Sequence, residues 1–113
     1  MPLQYIEHFL IQTADLPGTV KWWSEVLGMT AGPTPDFKFP VQWMYLGDRD
    51  VVHLTVGGAA VSANRQAYLG QQSTATHGTG VVDHVAFRTT DLAGMLARLR
   101  AARVDFSQRM VDD

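Results

Sequence analysis

Cysteine is absent from the 113 residues, so disulfides and thiolate ligands are excluded, and any bound metal must rely on His, Asp or Glu. Charge is scarce and nearly balanced: 18% of residues are charged and the net charge is −2. That leaves no electrostatic reason to expect nucleic acid or an anionic membrane as partner. No run approaches the roughly 20 apolar residues of a membrane span, and the N-terminus lacks the basic region and long apolar stretch of a signal peptide. What is present is a 46% apolar composition, which suits one globular domain with a sizeable core. These limits lead us to expect a soluble cytoplasmic protein.

One stretch occurs twice. Residues 6–18 read Ile-Glu-His-Phe-Leu-Ile-Gln-Thr-Ala-Asp-Leu-Pro-Gly, and residues 82–94 read Val-Asp-His-Val-Ala-Phe-Arg-Thr-Thr-Asp-Leu-Ala-Gly. A shift of 76 places His8 on His84, Thr13 on Thr89, Asp15 on Asp91, Leu16 on Leu92 and Gly18 on Gly94. Each copy is a β-type run, a helix-start signal and an amphipathic run, and an internal repeat of this kind governs the expected fold.

In chain order, Tyr5 to Gln12 predicts a strand, with Ile6, His8, Leu10 and Gln12 on one face. Glu7 falls on the other face. Asp15 caps a helix over about 16–27, with Pro17 in its first turn, an apolar stripe of Leu16, Val20, Trp23 and Leu27, and Gly28 to end it. Met29 to Ala31 predicts a short strand. Residues 32–40 hold three of the five prolines and read as a loop. Val41 to Leu46 and Val51 to Val56 predict strands around the turn at Gly47-Asp48-Arg49-Asp50, with Val51, His53 and Thr55 sharing a face.

Residues 1–57 thus form a β-α-β-β-β module, and 58–80 a long connection with a short helix near Ser62 to Leu69. Residues 81–113 open a second module, with a strand over 81–88 and a helix capped by Asp91. His53 lies 45 residues after His8, and the same spacing from His84 falls at about 129, beyond the last residue. The second module is therefore expected to lack its last two strands. The predicted class is α+β, one domain of two βαβββ units whose strands form a curled mixed sheet with the helices outside.

A repeated βαβββ unit, with a strand histidine followed by Thr-Xaa-Asp-Leu at a helix start, resembles the vicinal oxygen chelate superfamily. That superfamily includes glyoxalase I, fosfomycin-resistance enzymes, extradiol dioxygenases and bleomycin-resistance proteins. The segments that carry the resemblance are Ile6-Glu7-His8 to Leu16, Trp22-Trp23-Ser24-Glu25-Val26-Leu27-Gly28-Met29, and Val82-Asp83-His84 to Leu92. It implies a cup-shaped sheet with a divalent metal inside (Fe, Mn, Zn or Ni), held by residues of the first and fourth strands of the modules.

On that resemblance His8 and His84 match first-strand metal ligands. His53 lies on the fourth strand, where some members place a ligand. The recurrent glutamate of the last strand of module two has no counterpart. Two histidines and a carboxylate suit Fe(II) oxygen chemistry, and similar sets on other metals polarise a carbonyl. The implied function is a metal-dependent glyoxalase-like lyase or dioxygenase, with a metal-free ligand-sequestering protein of the bleomycin-resistance type as the alternative. A homodimer is also implied.

Each candidate has a plainer reading. A histidine on an apolar strand face is often a hydrogen-bonded core residue, and His53 can line the pocket as an acid or base instead of touching metal. Trp43 and Tyr45 are candidates to stack on substrate, or else sheet core. Phe37 and Phe39 are candidates to close over a pocket, or more plainly to anchor the Pro-rich loop; Asp15 and Asp91 read as helix caps, and His77, Glu7 and Asp83 as solvated or structural.

Overall fold

Local chemistry fixes the helix starts. The Asp15 carboxylate accepts from the Gly18 N–H at 3.1 Å, and the Thr13 hydroxyl accepts from the Asp15 N–H at 3.1 Å. The same bonds recur in the second copy of the repeat: Asp91 accepts from the Gly94 N–H at 2.9 Å and Thr89 from the Asp91 N–H at 3.0 Å. Each satisfies a donor that the first helical turn leaves without a partner.

The computed structural model describes residues 2–58, 62–69, 73 and 75–110. The elements are β1 (Phe9–Thr13), α1 (Leu16–Glu25), β2 (Thr30–Ala31), β3 (Val41–Leu46), β4 (Arg49–Val56), α2 (Ala63–Leu69) and α3 (Leu92–Ala101). They make an α+β protein with a four-stranded mixed sheet in the order β1-β4-β3-β2. β1 runs parallel to β4, and the remaining pairs are antiparallel. A parallel neighbour needs a crossover, and α1 begins that path across one sheet face. Part of the 58–80 connection lies outside the described residues.

That covered face is the core. Met29, Met44, Val52 and Leu54 are buried there, and Phe9, Ile11, Leu16, Val20, Trp23 and Leu27 pack around them. Gly28, with φ +75°, ends the α1 segment in the left-handed conformation glycine adopts without strain. The β3–β4 hairpin turns on Gly47 and Asp48, and Gly47 takes φ +61° at the first central position, as a type II′ turn requires.

The structure departs from expectation in three places. β1 begins at Phe9, so His8 stands just ahead of the strand. Residues 82–89 are not part of the sheet. They are held by side chains instead: the Phe87 ring lies 6.3 Å from Phe9 and 6.2 Å from Trp23. A β-prone run becomes a strand only when a neighbour supplies its ladder, and none of the four strands pairs with it.

The third departure is a bulge. Met44 pairs with Val52, but Leu46 pairs with Arg49, so the β3–β4 register slips by one residue between them. Val51 packs against the core instead of sharing a face with His53. Among the described residues no helix is long and apolar enough to cross a membrane.

Leu54 is fully buried and Leu3 is 82% exposed. Leu54→Ala is expected to lower unfolding free energy by about 2–5 kcal/mol. Leu3→Ala should stay within about 0.5 kcal/mol. Urea titrations of both variants test the assignment of the core to this face.

Candidate functional site

The opposite face of the sheet forms a cup. The register sets Leu10 beside His53 across β1 and β4, and Trp43 beside His53 across β3 and β4. His53 is 8% exposed and Thr55 is buried, on the face opposite the core residues Val52 and Leu54. The imidazoles of His8 and His53 stack, with centroids 3.7 Å apart and planes inclined by 12°. The Trp43 indole stacks on the other side of His53, at 4.4 Å and 9°. His53 is thus the middle layer of a three-ring stack.

A cavity of about 200 Å³ opens against this stack. Glu7, His8, Leu10, Val41, Trp43, His53 and Thr55 form its floor and side, and Phe37, Phe39 and Tyr68 face them. The last three form an aromatic cluster: Phe37 lies 5.3 Å from Tyr68, 5.6 Å from Phe39 and 6.0 Å from Trp43.

Arg65 fastens α2, and with it Tyr68, over the cup. Its buried guanidinium donates to the Val56 carbonyl at 3.2 Å and to Gln12 Oε1 at 3.0 Å. Burial pushes its pKa down. Asn64 donates to the Lys38 carbonyl at 2.7 Å and ties α2 to the Pro-rich loop. Phe37 and Phe39 therefore line the cavity as well as anchoring their loop.

The bulge supplies the polar partner. Residues three apart on a regular strand point to opposite faces, yet Asp50 Oδ2 lies 2.7 Å from His53 Nε2. Bulges re-aim side chains in this way. Burial raises the Asp50 carboxyl, but the hydrogen bond from His53, a backbone hydrogen bond and the nearby His53 and His8 together hold it below its ordinary value. Glu7 makes the corresponding contact to His8 Nδ1 at 3.0 Å, although strand alternation aims it away from the cup.

A family model described as Glyoxalase/Bleomycin resistance protein/Dioxygenase superfamily matches residues 7–113. The chain belongs to that superfamily. No curated protein matches it.

Members of the glyoxalase/bleomycin resistance/dioxygenase superfamily often use divalent metals, so the donor geometry matters. A ring nitrogen binds an ion in its own ring plane, at about 2.0–2.1 Å. The His8 and His53 planes are stacked face to face, so an ion in the plane of one lies well outside the plane of the other. The two imidazoles in this arrangement do not fit one ion. His84 is not among the residues lining the cavity. Its side chain is 78% exposed and bonded through Nδ1 to Asp83 at 2.7 Å. Among the described residues no group of three His, Asp or Glu side chains gathers as a metal set.

Tyr45 does not line the cavity; its hydroxyl donates to the Pro33 carbonyl at 2.5 Å and holds the rim of the loop. A larger cavity of about 350 Å³ lies at the end of α1 between Met29, Leu46, Phe87 and Met95. It holds no acid–base pair, so the cup is the candidate site. Asp50, Phe37, Phe39 and Tyr68 are the site residues that sequence reasoning missed or read as structural.

Because the folded Asp50 carboxyl is below its unfolded value, its stabilising contribution is complete above the ordinary aspartate range and is lost as pH falls through the folded value. Asp50→Asn should be less stable than the parent at neutral pH, with the difference shrinking on acidification. Urea unfolding from neutral to strongly acidic pH checks this, and a difference that grows towards acid contradicts it.

Proposed function

We propose that the cup takes up a small, flat, largely apolar molecule, and that the protein acts as a metal-free ligand-binding member of the superfamily. The observation that supports this most is the His8–His53–Trp43 stack facing Phe37, Phe39 and Tyr68 across the cavity. Aromatic pairs gain about 0.5–1.5 kcal/mol beyond the area they bury. A dry cavity of about 150 Å³ is enough for benzene, so about 200 Å³ suits a single substituted ring. Trp43 is the stacking wall, and Tyr45 shapes the rim by fixing Pro33.

A second reading has support in the repeat: a metal-dependent lyase or dioxygenase with His8 and His84 as ligands and His53 as acid or base. The two histidines are equivalent under the 76-residue shift, and the helix caps that follow them carry matching hydrogen bonds. On this reading two related units, 1–57 and 81–113, face one another. His84 must leave Asp83 to meet His8, within the chain or across a homodimer.

A homodimer in the cytoplasm fits both readings. Among the described residues β1 has a sheet neighbour on one side only, and the half-exposed Phe87 ring lies 6.3 Å from Phe9 of that strand. An open edge next to apolar side chains invites pairing with a second chain.

Toluene titrated into the protein is expected to quench tryptophan fluorescence saturably. Trp43→Ala should weaken binding measured calorimetrically by about tenfold, the equivalent of about 1.4 kcal/mol. No saturable binding of toluene sinks the first reading. About one bound metal per chain, lost in both His8→Ala and His84→Ala, establishes the second.

A further inference from the structure

We propose that the cup selects, among flat aromatic molecules, those bearing a weakly acidic ring hydroxyl, with His53 accepting that hydrogen and Asp50 as its positioning residue. The inference rests on the aromatic-cup reading above and names the ligand class of the same site.

An ionised carboxylate only accepts hydrogen bonds. The Asp50 oxygen 2.7 Å from His53 Nε2 therefore places the ring hydrogen on Nε2, and a neutral His53 is left with Nδ1 as an acceptor. Glu7 does the same to His8 from the other ring position: it takes the Nδ1 hydrogen at 3.0 Å and leaves Nε2 as the acceptor. In its neutral form each imidazole of the stack therefore gives its one N–H to a carboxylate and keeps a lone pair.

The rest of the lining sharpens this polarity. Among the described residues no lysine or arginine lines the cavity, and Glu7 is the charged residue there. The Thr55 hydroxyl is engaged, donating to the Pro40 carbonyl at 2.7 Å. The stack is therefore rich in acceptors and poor in cations. A ligand that brings a hydrogen-bond donor gains a partner there. A ligand that brings an anion meets Glu7 with no counter-charge among the described lining residues. The aromatic walls accept the ring in either case, so the substituent decides.

Asp50 reaches this position through the β4 bulge, where a regular strand would aim it into the core face. Its carboxylate holds one tautomer. An asparagine amide there can donate as well as accept, and no longer compels His53 to carry its hydrogen on Nε2.

Three ligands of one shape separate the outcomes: 4-cresol, toluene and 4-methylbenzoate, titrated calorimetrically at neutral pH into the full chain and into Asp50→Asn. The expected result is 4-cresol binding about fivefold to tenfold more tightly than toluene, and 4-methylbenzoate more weakly than either. In Asp50→Asn the cresol-to-toluene ratio should fall towards one, a change that a loss of folding, which weakens both ligands alike, would not produce. Nitrogen-15 NMR of the imidazoles should show His53 carrying its hydrogen on Nε2 in the parent. Equal binding of cresol and toluene, preference for the benzoate, an unchanged ratio in Asp50→Asn, or a hydrogen on Nδ1 of His53 overturns the inference and leaves the aromatic cup standing. Failure of toluene to bind sinks the aromatic cup and the inference with it.

Discussion

A one-residue slip in the β3–β4 ladder decides which side chains meet in this protein. From Val52 onward β4 alternates regularly, with Val52 and Leu54 in the core and His53 and Thr55 in the cup. Ahead of Val52 the slip exchanges two neighbours: Val51 joins the core and Asp50 turns to His53. Without it a carboxylate would point towards Met44 and Leu54, where an unpaired charge is costly. With it the same carboxylate is hydrogen-bonded and partly solvated, and it orients the ring at the centre of the stack. The bulge therefore serves the core and the site at once.

The cup depends equally on α2. The sheet supplies one wall, His8, His53 and Trp43, but the facing wall comes from the Pro-rich loop and from Tyr68. Loop segments pack closely only when their polar backbone groups find partners. Arg65 meets this need between Val56 and Gln12, and Asn64 does so at Lys38. A buried guanidinium bonded to neutral oxygens keeps an uncompensated desolvation cost. That cost is borne at the position that closes the aromatic cavity, as stability is often given up around a binding site.

Much of the fold was legible in the chain because its signals are local. Asp15 and Asp91 cap the helices they were expected to cap, Val41–Leu46 forms its strand, and the order β-α-β-β-β appears over the first 57 residues. The pairing of His8 with His53 was half legible: each was placed on a strand face with its neighbours, but sequence does not say which strands lie side by side. Asp50 was not legible, because period-2 alternation sends it to the wrong face and a bulge leaves no compositional mark here. Residues 82–89 show the converse limit. They alternate like a strand, yet strand formation depends on a partner ladder that no local pattern contains.

The ring stack also bears on how one superfamily can serve both binding and metal chemistry. Lone pairs and π faces of an imidazole point in perpendicular directions. A free ring nitrogen at the edge of an imidazole takes a cation or accepts a hydrogen from a donor, whereas the face of the ring is a stacking surface. In this chain His8 and His53 present faces to each other, and Trp43 extends the stack. The carboxylates of Glu7 and Asp50 hold the rings by their edges. Turning His8 out of this arrangement would break both its stack on His53 and its bond to Glu7.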